Sequence, residues 1–267
     1  MPVTLPSDLK RLDDALYSRL VYEAMGVVFD VHSEFGRLFE EQVYAAEVAR
    51  RLGCCRTEVM FQISFDSFRK PYYLDLLFRD GAVFELKCAS KVVQRHRAQL
   101  LNYLYILEMP HGKLVNLRAD SVQHEFVNAP LRRADRTSFL VDVSQFKKTD
   151  GISAQLPDLI LPLLRDWGTC LETSLYEEAI MHFLGGEAAV VRPIEIFSGP
   201  QKVAVQSFKL LTPFAAFKVT GFNGEQPRYE TELAQLLAHT KLRQIQWINV
   251  GTKTVTFKTL QNRSAAF

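Results

Sequence analysis

The chain lacks the cysteine patterns of a secreted or zinc-bound protein. Its four cysteines form no CxxC pair and no zinc-like spacing, which indicates reduced thiols rather than a disulfide framework or a zinc site. Long hydrophobic runs are also missing, because runs such as 159–164 are far shorter than the roughly 20 residues that span a bilayer. The first residues lack the basic-then-apolar pattern of a signal peptide. We therefore expect a soluble, cytoplasmic protein with no membrane partner.

A strong net charge is missing as well. The 32 basic and 30 acidic residues leave a formal net charge of +2, so nucleic-acid binding would have to depend on a local basic patch. No Gly-rich phosphate loop, HExxH or GxSxG motif occurs, which excludes the enzyme classes that need them. What the chain does have is 267 residues that are 48% hydrophobic, enough for one large domain or two small ones.

Hydrophobic periodicity in the first half switches between helical and strand spacing. The first helix is predicted to start at Ser7, whose side chain can cap it, and to end at Gly36. The order helix, helix, three strands, helix, two strands predicts an α/β (α+β) core with helices packed on a mixed sheet. The predicted helices cover 7–35, 38–52 and 90–109, and the predicted strands cover 59–65, 72–78, 82–88, 113–117 and 122–127.

The second half repeats three segments of the first in the same order. Residues 35–44 match 167–176 in their Gly, Glu and Tyr positions; 98–101 match 234–237, and 114–117 match 247–250. A more polar segment, 129–152, separates the halves, with one predicted strand at 141–146. We therefore predict two domains, 1–136 and 137–267, that arose by duplication and pack as a pseudo-dimer. Chance similarity is the alternative explanation.

Three ionisable residues interrupt two apolar strands of the first half. Asp75 lies inside one strand, and Glu85 and Lys87 share one face of the next because side chains alternate along a strand. Such charges are costly unless they are paired or bind metal. Two carboxylates and the backbone carbonyl of Leu86 suit a hard cation such as Mg²⁺, and Lys87 would orient the attacking water. The alternative is a surface Glu–Lys pair and a solvated aspartate.

This pattern, an Asp followed by Glu-x-Lys on the adjacent strand, resembles the PD-(D/E)XK nuclease superfamily. Residues of about 20–128 resemble more narrowly the GxxExxY family within it, through the segments 31–36, 41–44, 73–77, 84–87 and 99–104. One position departs from the family pattern: the Gly three residues before Glu41 is Leu38 here. This departure concerns the turn before Glu41, whereas the core acids and lysine are retained.

The resemblance implies a restriction-endonuclease-like fold, a Mg²⁺ (or Mn²⁺) ion and further site residues. In similar nucleases a helical Glu joins the metal shell, which assigns that role to Glu41, and Gln99 and Tyr103, one helical turn apart, would lie beside the active site. The expected catalytic residues are Asp75, Glu85, Lys87, Glu41 and Gln99; the expected metal ligands are Glu41, Asp75, Glu85 and Leu86. The expected nucleic-acid contacts are Lys91, Arg95, Arg97 and Tyr103, although a solvated helix face explains the basic residues nearly as well.

The second half shows no equivalent acids when its strands are aligned by their lysine. That alignment pairs Gln206, Ala216 and Lys218 with the first-half Asp, Glu and Lys. A hard-metal site cannot be built from these side chains, so we expect an inactive copy.

The leading interpretation is a metal-dependent nuclease that hydrolyses phosphodiester bonds, with DNA favoured over RNA as partner. The main alternative is a catalytically silent nucleic-acid-binding or interaction protein that keeps the fold. A third is a toxin-like or defence-associated component that acts only with a partner. Either a homodimer or an intramolecular pseudo-dimer would fit the sequence.

Overall fold

The chain folds as two compact units, Met1–Arg132 and Arg133–Phe267. The computed structural model describes residues 3–4, 9–149, 151–224 and 226–262. The expected boundary between residues 136 and 137 lies inside a short helix, Arg133–Thr137, at the start of the second unit. Arg136 ties this helix to that unit, because its buried guanidinium donates to the carbonyls of Trp167 and Thr169 at 3.0 and 3.1 Å.

Among its described residues, the first unit is a six-stranded sheet with three helices. Its strands are in the order β1-β2-β3-β4-β5-β6, and every neighbouring pair is antiparallel except β4 and β5, which are parallel. The predicted mixed sheet is therefore confirmed. The elements are β1 Val3–Thr4, α1 Asp14–Phe35, α2 Glu41–Leu52, β2 Cys55–Phe65, β3 Phe68–Phe78, β4 Ala82–Lys87, α3 Gln94–Leu107, β5 His111–Asn116 and β6 Gln123–Asn128.

Helix α1 begins later than the periodicity predicts. Its N-cap is Asp13, whose side chain accepts a hydrogen bond from the backbone N–H of Leu16 at 2.7 Å. Residues 9–13 are not helical, and the predicted cap Ser7 lies outside the described residues. The helix ends as predicted at Gly36, whose φ of 69° is a conformation that glycine adopts readily.

Helices α1 and α2 pack against one face of the sheet. Val28 and Val31 of α1 and Tyr44 of α2 form a continuous buried cluster with Phe84 and Leu86 of β4. Burying each such side chain contributes roughly 1.5–3 kcal/mol. Because Phe84 and Leu86 point into this core, the alternate residues of β4 are directed away from it, which leaves that side of the strand for polar chemistry.

The second unit is another six-stranded mixed sheet with five helices among its described residues. Its strands are in the order β7-β12-β11-β10-β9-β8, with β10–β11 and β7–β12 parallel and the other pairs antiparallel. No helix in the described part of the chain is long and apolar enough to cross a membrane. The elements are α4 Arg133–Thr137, β7 Leu140–Gln145, α5 Gly151–Trp167, α6 Thr173–Phe183, α7 Glu187–Val190, β8 Val191–Ser198, β9 Gln201–Thr212, β10 Ala215–Thr220, α8 Gln226–Ala238, β11 Gln244–Val250 and β12 Thr254–Gln261.

Candidate active site

The Lys87 ammonium lies among three carboxylates in the first unit. Its Nζ is 2.7 Å from Glu85 Oε1, 3.8 Å from Asp75 Oδ2 and 3.8 Å from Glu41 Oε2. Only 1% of the Glu85 side chain and 12% of Lys87 are exposed, against 29% for Asp75 and 41% for Glu41. The structure therefore brings together the four charged residues that the sequence predicts for the site, with the two partly exposed carboxylates on its open side.

Two of these carboxylates are held by backbone donors on or beside β4. Strands β3 and β4 pair from Phe78 and Ala82 to Leu76 and Phe84. Asp75 directly precedes Leu76, and its side chain accepts the N–H of Leu86 at 2.7 Å. Glu41, at the first turn of α2, accepts the N–H of Cys88 at 2.9 Å. These bonds fix acids from a strand and a helix against a third element, which gives the site its shape before any ligand binds.

The buried negative charges shift the protonation equilibria of the site. Burial, reinforced by the charge of Asp75, raises the pKa of the Glu85 carboxyl to about 8 despite the adjacent Lys87. Burial also raises the pKa of Asp75, against the opposing effect of Lys87. Burial alone would lower the pKa of Lys87, but the nearby carboxylates together raise it, so the lysine stays charged. The site therefore favours additional positive charge.

The site presents donor atoms of the type that a hard divalent cation takes. Glu85 Oε2 is buried and has no hydrogen-bond partner among the described residues, so it is available as a ligand. Three carboxylates and the backbone carbonyl of Leu86 form an all-oxygen donor set of the kind that Mg²⁺ and Mn²⁺ prefer. In the described part of the chain no three acidic, His or Cys side chains are gathered closely enough to hold a metal ion. The Lys87 ammonium lies between the acids, so it would have to give way to a bound ion.

Residues 18–128 match the family model of the PD-(D/E)XK nuclease superfamily. This range contains all the predicted site residues, and the predicted fold class, mixed sheets flanked by helices with a PD-(D/E)XK core, is confirmed. No curated protein matches the chain. One solved structure, titled "Crystal structure of SSO0001", is 18% identical and covers 47% of this chain and 81% of its own, with a TM-score of 0.26. Below, the first unit is called the PD-(D/E)XK unit.

Gln99 and Tyr103 of the PD-(D/E)XK unit are in direct contact. Gln99 Nε2 donates to the Tyr103 hydroxyl at 3.0 Å, as their spacing on α3 predicts. The Tyr103 ring is buried, 5.4 Å from the Phe61 ring and 5.5 Å from the Tyr72 ring, and burial raises its pKa to about 12. Its ring therefore contributes to packing in this structure, and its hydroxyl positions Gln99.

The predicted basic patch is only partly available to a ligand. Lys91 and Arg95 are exposed near the start of α3. Arg97 instead forms a two-pronged ion pair with Glu125, at 2.5 Å from Nε and 2.9 Å from Nη2. The two partners are 28 residues apart in sequence. Glu125 already neutralises the Arg97 guanidinium, which is therefore not free to bind a phosphate.

The sequence interpretation did not include Glu58. The predicted strand starts at Val59, whereas β2 begins at Cys55 and so contains this residue. The pairs Thr57–Leu76 and Val59–Leu74 place Glu58 opposite Asp75. A glutamate next to a predicted strand start carries no sequence signal of its own, because acidic residues at such positions are usually solvated.

The second unit contains a matching backbone arrangement. The side-chain amide of Asn116 brackets Ala89, accepting its N–H at 3.0 Å and donating to its carbonyl at 2.9 Å. Asn249 brackets Phe222 in the same way, with both distances 2.8 Å. One tyrosine in each unit makes the same hydrogen bond to a glycine eight residues earlier. Tyr44 donates to the Gly36 carbonyl and Tyr176 donates to the Gly168 carbonyl, both at 2.6 Å.

These asparagine and tyrosine hydrogen bonds are called braces below. The asparagine braces align the strands of the two units in a register that differs by two residues from the register obtained by matching Lys218 with Lys87. Lys87 is opposite Asn116 on the neighbouring strand, and Thr220 is opposite Asn249. Lys218 therefore takes the place of Glu85, and Thr220 takes that of Lys87. The expected equivalence of Ala216 and Lys218 with Glu85 and Lys87 differs from this register.

The position of the second unit that is equivalent to Asp75 also lacks a carboxylate. Ala216 is opposite Leu210, and continuing this antiparallel register places Phe208, rather than Gln206, opposite Lys218. The acid that is present, Glu177, pairs with Lys209 and lies 3.6 Å from Lys218, and its Oε1 accepts the N–H of Val219 at 3.2 Å. Two lysines surround one carboxylate there, the reverse of the charge balance in the PD-(D/E)XK unit.

Proposed function

We propose that the PD-(D/E)XK unit is a metal-dependent nuclease that hydrolyses phosphodiester bonds in nucleic acid, with DNA as the favoured substrate. The observation that carries the proposal is the convergence of Glu41, Asp75 and Glu85 on Lys87 within the residues that match the nuclease superfamily. Fold alone does not establish activity, but an orphaned buried carboxylate oxygen beside two further acids is costly without a cationic ligand.

Each residue has a defined part in this proposal. Asp75, Glu85 and Glu41, with the Leu86 carbonyl, would hold Mg²⁺ or Mn²⁺. A bound divalent ion supplies positive charge that stabilises the charge building on the phosphate oxygens. The Lys87 ammonium, once its pairing with Glu85 is loosened, donates N–H bonds that orient the attacking water and the phosphate.

The substrate would be held by residues of and around α3. Lys91 and Arg95 are exposed and would contact backbone phosphates, which makes binding weaken as salt concentration rises. Gln99, held by the Tyr103 hydroxyl, would donate or accept a hydrogen bond beside the site. Arg97 would join them only if a phosphate replaces Glu125 as its partner.

The main rival is a silent nucleic-acid-binding or interaction protein, and one observation favours it. Lys87 already satisfies one Glu85 oxygen at 2.7 Å, and such an internal ion pair competes with a metal for the carboxylates. A toxin-like or defence-associated component would differ from both by requiring a partner to release this pair.

We further propose that the second unit, 137–267 by the sequence, is an inactive duplicate that forms a pseudo-dimer with the first. The matching asparagine and tyrosine braces support a shared origin, and Lys218 at the position equivalent to Glu85 supports the loss of metal binding. With a single acidic site, the chain would cut one strand, and cutting both would need a second active copy.

A cleavage assay tests the nuclease proposal against its rivals. Labelled single- and double-stranded DNA and RNA would be incubated with Mg²⁺, Mn²⁺ or EDTA, with wild type and with Asp75→Ala and Glu85→Ala. We expect cutting that needs the metal and is lost in both variants while substrate binding remains. Binding without cutting supports the silent protein, and cutting that survives both substitutions or EDTA points to a contaminant.

A further inference from the structure

We propose that the cleft beside Asp75 binds the nucleobase next to the scissile phosphate, and that Glu58 selects bases carrying an exocyclic amino group. Adenine and cytosine would be preferred over thymine. The inference rests on the proposed nuclease function, since it takes the neighbouring carboxylates as the place where the phosphate is cut.

The cleft has the size and composition of a site for a small aromatic ring. Its volume is about 320 Å³, and it lies between α2, the start of β2 and the end of β3. Ala45 and Ala46 give it an apolar wall, and Gln42, Thr57 and Glu58 give it polar groups. A flat base can pack on the alanine methyl groups while its edge meets the polar groups.

The cleft adjoins the proposed reaction centre directly. Asp75 and Glu41 line it and also lie 3.8 Å from Lys87 Nζ. The residues on either side of Glu58 pair with those on either side of Asp75, and both carboxylates line the same cleft. A nucleotide whose phosphate reaches Asp75 therefore brings its base or the adjacent one within reach of Glu58.

The backbone at Glu58 departs from regular strand geometry at this cleft. Its φ is +48°, a left-handed value that few residues other than glycine adopt. Successive side chains of a regular strand face opposite sides, yet Thr57 and Glu58 both line the cleft. Gln42 Nε2 donates to Glu58 Oε1 at 3.3 Å, which makes Gln42 the positioning residue for this carboxylate.

Charge determines what Glu58 can bind. An exposed carboxylate beside two others, Glu41 and Asp75, repels phosphate, so its ligand must present a hydrogen-bond donor or a cation. Glu58 Oε1 already accepts an N–H from the Gln42 amide at 3.3 Å, so a neutral N–H donor fits this carboxylate. The amino groups of cytosine and adenine donate to carboxylates, whereas the equivalent position of thymine is a carbonyl that the carboxylate repels.

Three single-stranded 20-mers, of deoxyadenosine, deoxycytidine and thymidine, test the inference with Glu58→Gln. Binding is measured by fluorescence anisotropy without divalent metal, and cleavage is measured with Mg²⁺. We expect the wild type to prefer the adenine and cytosine strands about tenfold in Kd and in kcat/KM. In Glu58→Gln the ratio should fall to near one, because the amide can donate to the thymine carbonyl.

Glu40→Gln is the matched control, since it removes the same charge from an exposed residue close by that does not line the cleft. It should keep the wild-type ratio, and Gln42→Ala should show a partial loss. Circular dichroism melting checks that every variant is folded. Cleavage with no base preference, or a preference unchanged in Glu58→Gln, overturns the inference and leaves the nuclease intact. Binding with the expected ratios but no cleavage supports base recognition and contradicts the nuclease.

Discussion

Lys87 Nζ lies 2.7 Å from Glu85 Oε1, while the other oxygen of the same buried carboxylate has no partner in the described part of the chain. This half-satisfied pair links the stability of the PD-(D/E)XK unit to its proposed chemistry. Lys87 compensates the charge of Glu85. A divalent cation bound at the same place would compensate the charges of Glu85, Asp75 and Glu41 together.

Replacing Lys87 by methionine should destabilise the fold at alkaline pH. The change leaves Glu85 with no compensating charge, and breaking a buried ion pair costs about 3–5 kcal/mol unless the remaining partner becomes neutral. At pH 9 we expect a loss of about 3 kcal/mol in the free energy of unfolding, measured by urea denaturation. Lys91→Met, at an exposed position, should change it by less than about 0.5 kcal/mol. Equal effects of the two substitutions would show that the Lys87 pair is solvated.

Glu85→Gln should make the protein more stable relative to wild type as pH rises. The folded-state pKa of Glu85, about 8, is above its ordinary value of 4.5, so the folded protein binds that proton more tightly than the unfolded chain does. Wild type therefore loses stability between pH 4.5 and about 8, by up to about 1.4 kcal/mol per pH unit, and the glutamine variant does not. Chemical denaturation at pH 5, 6, 7 and 8 measures the difference, and a gap that stays constant or closes with rising pH would contradict the shift.

Asn249→Ala should destabilise the second unit. The amide is buried and makes bonds of 2.8 Å with both the N–H and the carbonyl of Phe222, so its removal leaves those groups unpaired, at a cost of about 1–3 kcal/mol. Both tryptophans of the chain, Trp167 and Trp247, are buried in this unit, so tryptophan fluorescence reports its unfolding. Gln201→Ala, at an exposed strand end, is the control. If Asn249→Ala shifts the midpoint of the unfolding transition no more than Gln201→Ala does, the Asn249 brace is dispensable for stability.

Cysteine alkylation should distinguish Cys54 from two other thiols of the PD-(D/E)XK unit. Cys54 is exposed, whereas burial raises the pKa of both Cys55 and Cys88 to about 11, which keeps those thiols protonated at pH 8. With iodoacetamide at pH 8, mass spectrometry should find Cys54 modified at least about tenfold faster than either. Rapid labelling of Cys88 would show that the loop after β4 opens readily.

Local patterns in the sequence predicted the elements that form the site. Alternation along β4 separates Glu85 and Lys87 from the core residues Phe84 and Leu86, and that separation is what the structure shows. Helical spacing likewise indicated that Gln99 and Tyr103 share one face of α3, and in the structure the Gln99 amide donates to the Tyr103 hydroxyl.

What the sequence did not reveal depends on contacts between distant residues. The pairing of Arg97 with Glu125 joins α3 to β6, and no local pattern indicates it. The strand alignment of the second unit was also off by two residues. A sequence alignment matches Lys218 with Lys87 because both are lysines, whereas the strand pairing places Lys218 where Glu85 lies. Glu58 was missed because its importance arises only when β2 brings it opposite Asp75.

Binding of Mn²⁺ tests the central claim most directly, since the ion can be counted by electron paramagnetic resonance without any cleavage. Wild-type protein should remove Mn²⁺ from solution at a site that magnesium competes for, and Asp75→Ala and Glu85→Ala should abolish this binding while Glu40→Gln keeps it. Wild-type protein that is folded and leaves all the Mn²⁺ free, or Asp75→Ala protein that binds it as wild type does, would contradict the account.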